Sequence, residues 1–138
     1  MIDPTNVPGV ELRETLARFI LQSSHVRRSD GTLKQDAFMP HPYTDLSVTR
    51  HLLATEPELW TVGQTVADIQ SKRLYGRGDV QALECEQLGM RVQADPVEGN
   101  SNHANITGWP QEKPEQKTKA QKLAAASTFV PNPVLPPG

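Results

Sequence analysis

Apolar residues at Leu12, Leu16, Phe19 and Ile20 recur at i, i+4, i+7 and i+8, which predicts a helix with one buried stripe. Pro8 suits its first turn, Glu11 and Glu14 the positive end of its dipole, and Arg27 and Arg28 lie near or past the negative end. Ser29, Asp30 and Gly31 signal a turn. Beyond the break at Met39, Pro40, His41 and Pro42, the alternation of Leu46, Ser47, Val48 and Thr49 predicts a short strand. Thr55, Glu56, Pro57 and Glu58 combine a capping box with a proline in the first helical turn, and Leu59, Val62, Val66 and Ile69 supply the stripe of a second helix. Gly63 within that helix costs about 1 kcal/mol relative to alanine, or else admits another element closely.

Gly76, Arg77, Gly78 and Asp79 break the chain, with Asp79 expected to cap a short helix that carries Val80, Leu83 and Leu88 and ends at Gly89. Met90, Arg91 and Val92 read as a strand that pairs with residues 103–106 across the loop 95–102. A last helix is expected from Pro114 to about Ser127, with Ala120, Leu123 and Ala124 on one face. The sum is an α+β class, a small single domain over residues 7–127 with about four helices packed on a short two- or three-stranded sheet. Residues 128–138 carry Pro131, Pro133, Pro136 and Pro137 and are expected to form a flexible, disordered Pro-rich tail, because proline lacks an amide hydrogen and cannot join a central strand.

Composition narrows the picture. Hydrophobic residues make up 36% of the 138, with three Phe, two Tyr and two Trp, a lean core that predicts modest stability or order gained from a partner. The net charge of −2 argues against non-specific nucleic-acid binding over the whole surface. Cys85 is the sole cysteine, so no internal disulfide and no multi-cysteine zinc site can form within the chain, and its neighbours Glu84 and Glu86 disfavour a thiolate. No basic segment followed by an apolar run marks a signal peptide, and no run approaches the about 20 apolar residues of a membrane span, so a soluble, cytoplasmic protein without a membrane partner is expected.

Residues 100–110 concentrate Asn100, Asn102, His103, Asn105, Trp109 and Pro110, too polar for an ordinary strand and too rich in turn formers for a helix. Structured polar loops of this kind are where sites tend to lie. One constellation joins His103 to Arg50 and Arg77: two guanidinium groups can clamp a phosphate and an imidazole can pass a proton, as an enzyme acting on nucleotides or RNA requires. The plainer assignment makes the arginines ion-pair partners and His103 a loop hydrogen-bonder. A metal site from His41, Asp45, His51 and His103 has no supporting spacing, and no metal or cofactor is expected. Lys113, Lys117, Lys119 and Lys122, with Lys72 and Arg73, form a basic stripe without interleaved aromatics, so no stacking platform for single-stranded nucleic acid results. Trp109 and Pro110 close the loop, and tryptophan is enriched at interface hot spots. Together with Phe129 and the preorganised tail they offer a surface for a protein partner.

The blocks Leu46-Ser47-Val48-Thr49-Arg50, Gly76-Arg77-Gly78-Asp79-Val80 and Asn102-His103-Ala104-Asn105-Ile106-Thr107-Gly108-Trp109-Pro110 stand in an order that resembles a group of short, uncharacterised bacterial proteins. The resemblance covers residues 37–126. It implies a bacterial origin and assigns no activity or functional residue. The expectation is therefore a small bacterial accessory protein that acts by macromolecular binding, as a subunit or adaptor of a multi-protein system. Its binding residues are Asn102, His103, Asn105, Trp109, Pro110 and Phe129. The alternative is the nucleotide- or RNA-directed enzyme, with His103, Arg50 and Arg77 as its candidate catalytic set.

Overall fold

The computed structural model describes residues 1–40 and 42–134. Leu16, Ala17, Phe19 and Ile20 lie on a strand, β1 (Thr15–Ile20), where a helix was expected. The cause is burial on both faces: a central strand covered on two sides reads as a near-continuous apolar run, and such a run mimics a helical stripe. Glu11 and Glu14 lie before the strand, with Glu14 committed to an ion pair rather than to a helix dipole.

The remaining elements follow as β2 (Leu46–Arg50), α1 (Glu56–Ile69), β3 (Gly76–Gln81), α2 (Ala82–Gln87), β4 (Arg91–Ala94), β5 (His103–Thr107), α3 (Lys113–Ala126) and β6 (Thr128–Pro131), with short 3₁₀ helices at Ser23–His25 and Gln35–Phe38. The described residues thus form three α-helices and one six-stranded antiparallel sheet of order β4-β5-β2-β1-β3-β6. This corrects the expectation of about four helices on two or three strands. β1 replaces the first helix, β3 occupies the stretch assigned to a break and a helix cap, and β6 is drawn from the stretch assigned to a disordered tail. Residues 135–138 of that tail, like His41, lie outside the described residues.

Local chemistry explains the elements that match expectation. Thr55 accepts from the Glu58 amide while Glu58 accepts from the Thr55 amide, so α1 starts with both halves of its capping box and Pro57 in its first turn. Gly89 ends α2 with φ of 80°, a left-handed conformation that glycine adopts without penalty. β4 and β5 pair antiparallel, Val92 opposite Ile106.

The register divides the side chains between two faces. Leu16 aligns with Arg50 and Val80, and Arg18 with Gly78, on one face. There Leu33, Ala37 and Phe38 pack with Ala120, Leu123 and Ala124 of α3 into the main core. Ala17 and Phe19 share the other face with Thr49, Asp79 and Arg77. α1 covers that face over β1 and β3: a Cβ on Gly63 would meet the Phe19 ring at 2.7 Å, so the glycine lets the helix sit close. Beyond α1, the same face of β2, β5 and β4 carries Ser47, Thr49, His103, Asn105 and Gln93 without a covering helix.

Candidate functional site

The residues singled out from the sequence are distributed over the sheet. Arg50 points to the face of the main core, and Arg77 and His103 to the opposite face. His103 on β5 and Arg77 on β3 are also three strand spacings apart, roughly 14 Å. Each has its own partners. The fully buried Arg50 donates to both carboxylate oxygens of Glu14 and to the carbonyls of Pro8 and Gly9. Arg77 donates bidentately to Glu56 at 2.7 and 2.9 Å and to Asp79 at 3.0 Å, with Trp60 stacked over its guanidinium. The bonds from Arg77 hold the Glu56 carboxyl below its usual value. His103 Nδ1 lies 2.8 Å from the Asp95 carbonyl oxygen.

The asparagines of residues 100–110 are structural at their amide groups. Asn102 is fully buried, accepts from the Ile2 amide at 2.8 Å and donates to the Arg50 and Leu52 carbonyls at 2.7 and 2.8 Å. Asn100 donates to Thr49 Oγ1, and Asn105 donates to Asp95. Trp109 is half-buried against the main core and donates from Nε1 to the Ile106 carbonyl, while the Pro110 carbonyl accepts from Gln116. Phe129 is half-buried in β6 and packs on the same core. Among the described residues no group of three or more His, Cys, Asp and Glu is arranged to hold a metal ion. No helix among them is long and apolar enough to cross a membrane.

Two features that sequence reasoning missed are open. The first is a cleft of about 800 Å³ where β1 and β2 part. These strands pair only at Leu16 with Arg50 and Ala17 with Thr49, although each continues for several residues. Arg18 projects into the gap, His103 and Asn105 line one wall, and Val66 and Gln70 of α1 another. The clue in the sequence was an arginine set inside an otherwise apolar run, Leu16 to Ile20, which a helical reading assigns to the solvated side.

The second is the free edge of β4. The Asp95 amide donates to the His103 carbonyl, and the register then turns the N–H and C=O groups of Val92 and Ala94 away from β5, outward. A groove of about 640 Å³ runs beside this edge, where Val10, Leu12 and Met90 lie next to Glu86, Arg91 and Gln93, with Leu12 exposed. The opposite edge, β6, differs. The Asn132 amide donates to the Tyr75 carbonyl, so Phe129 and Pro131 are its outward positions, and Pro131 has no N–H to offer.

No protein-family model, curated protein or solved structure matches the chain.

Proposed function

We propose that the chain is a small bacterial accessory protein, cytoplasmic in location, that acts by binding a protein partner as a subunit or adaptor of a larger system. The observation that carries this reading is the β4 edge: outward backbone donors and acceptors at Val92 and Ala94 run beside a groove of mixed lining, with Val10, Leu12 and Met90 next to Glu86 and Arg91. An extended segment of a partner adds there as a seventh strand, its backbone pairing with β4 and its alternate side chains entering the groove at Leu12 and Val10. Natural edges are usually blunted, as β6 is by Pro131, so an edge left open beside a groove favours recognition.

The enzyme reading draws no comparable support, because Arg50, Arg77 and His103 do not converge and both arginines are already saturated by carboxylates.

Val92→Pro tests the binding reading. It removes one outward donor without removing a ladder bond to β5. The intact chain used as bait in a bacterial lysate is expected to retain a discrete protein that the Val92→Pro chain loses, with the two baits showing the same far-ultraviolet spectrum. Equal retention by both refutes the β4 edge as the docking surface.

A further inference from the structure

Three arginines reach into the body of the protein, and two are neutralised there. Arg50 has Glu14, and Arg77 has Glu56 and Asp79. Arg18 has none: among the described residues no carboxylate lies within 4.0 Å of its guanidinium. It crosses the gap between the parted strands instead, where Nε donates to the Ala37 carbonyl and Nη1 to the Ser47 carbonyl, each at 3.0 Å. Those two bonds fix its orientation but supply no counter-charge. Burial without an anion pulls its pKa down to about 10, whereas carboxylates hold the Arg77 pKa up.

The third nitrogen, Nη2, has no partner among the described residues. No buried side-chain nitrogen or oxygen there is left without one, so Nη2 is reached from solvent through the cleft. The cleft wall carries charges of both signs, Lys72 beside Asp36 and Asp45, and neither aspartate pairs with Arg18. His25 on the cleft wall is held below the ordinary imidazole value, first by burial and further by Arg18, Lys72 and Lys34, against the opposing pull of Asp36. The walls are not uniformly polar: Phe19, Met39, Tyr43 and Val66 present apolar surface within a volume suited to an organic molecule rather than a bare ion.

We propose that the cleft between β1 and β2 binds a small organic anion, whose carboxylate or phosphate group takes the open side of the Arg18 guanidinium while its body lies along Phe19, Met39 and Val66. A half-buried cation that the protein leaves unneutralised is compensated when such a group enters, and the two carbonyl bonds hold the guanidinium ready for it. Ser47, whose side chain is exposed on the uncovered face, adds a hydroxyl within the same cleft. This site is separate from the β4 edge, and its fate does not depend on that of the docking surface.

The test is an NMR titration of the ¹⁵N-labelled full chain with benzoate and with phenyl phosphate. The expected result is saturable shifts in the amides of Arg18, Ser47 and Thr49 and in the Arg18 Nε–H signal. Arg18→Gln is expected to weaken the affinity about ten-fold or more, the loss of one charge-assisted bond. Arg91→Gln, on the exposed β4, is expected to leave it unchanged. Saturation by benzoate alone assigns a carboxylate ligand, and by phenyl phosphate alone a phosphate. Saturation by neither, shifts confined to the surface lysines of α3, or undiminished affinity in Arg18→Gln overturns the proposal. Should Arg18→Gln not fold, the Nε–H signal of the native chain decides: an unmoved signal at saturation overturns it equally.

Discussion

Arg50 is held by Glu14 through two parallel hydrogen bonds, 2.7 Å from Nε to Oε1 and 2.8 Å from Nη2 to Oε2, with the arginine side chain wholly out of solvent. The pair ties the segment before β1 to the end of β2. Removing one member of a buried pair strands the other charge, a loss of about 3–5 kcal/mol. Glu14→Gln keeps the shape and removes the charge, and is expected to lower the urea midpoint sharply. A midpoint within error of the native value would show that solvent screens the pair.

Asn102 bonds to two remote pieces of chain, through the amide of Ile2 and the carbonyls of Arg50 and Leu52. Asn102→Ala leaves all three buried or half-buried groups without partners, at about 1–3 kcal/mol for each group that water cannot reach. Amide exchange at Ile2 is expected to accelerate more than exchange in the β4–β5 hairpin. Uniform acceleration across the sheet would mean global rather than local loosening.

Gly76 makes room for β6. A Cβ there would lie 2.4 Å from the Val130 carbonyl oxygen and 2.6 Å from the Phe129 ring. Backbone cannot yield as a side-chain tip does, so Gly76→Ala is expected to detach β6 and to destabilise by about 1–3 kcal/mol. Limited proteolysis reads this as new cleavage near Phe129, with β1 to β5 still protected. Native-like resistance would show that the strand shifts to accommodate the methyl group.

Cys85 is on the buried side of α2, and burial, with a smaller contribution from Glu84, pushes its thiol up to about 12 from 9.0. At pH 8 the thiolate fraction in the folded protein is then about a thousand-fold below that of the unfolded chain. Labelling by a disulfide reagent is expected to be negligible until urea is added. Because the folded pKa is the higher one, the thiol's contribution to stability is whole below pH 9 and declines as pH rises towards 12. A Cys85→Ala chain should lack that part of the alkaline decline, as pH-dependent urea titrations can show.

The sequence was most legible where a local signal and the tertiary environment agreed. The capping box at Thr55 and Glu58, the alternation of Leu46 to Thr49, the hairpin of β4 and β5 and the glycine stop at Gly89 all depend on neighbours within a few residues. β1 misled because its periodicity was set by two layers of remote packing, α3 below and α1 above. β3 misled because Gly76 and Gly78 read as breakers. They are instead the points where Phe129 and Phe38 press against the strand. In β6, Thr128, Phe129 and Val130 were good strand formers masked by the prolines that follow.

The candidate site was less legible still. His103 and Asn105 do line the cleft, but the residue at its centre, Arg18, stood hidden within the misassigned helix. Arg50 and Arg77 drew attention by type; Glu14 and Glu56 come from remote positions, and Asp79 shares the face of Arg77 only once Gly76–Gln81 is a strand.

The two ends of the sheet are unequal, and the inequality limits how copies of this chain can associate. Two copies that meet β4 to β4 around a twofold axis consume both open edges, leaving Pro131 at each extremity. Head-to-tail stacking, the geometry that propagates into fibres, must pair β4 with β6, where Phe129 offers an outward amide but Pro131 has none. Self-association along the sheet is therefore biased towards a closed pair over open-ended growth.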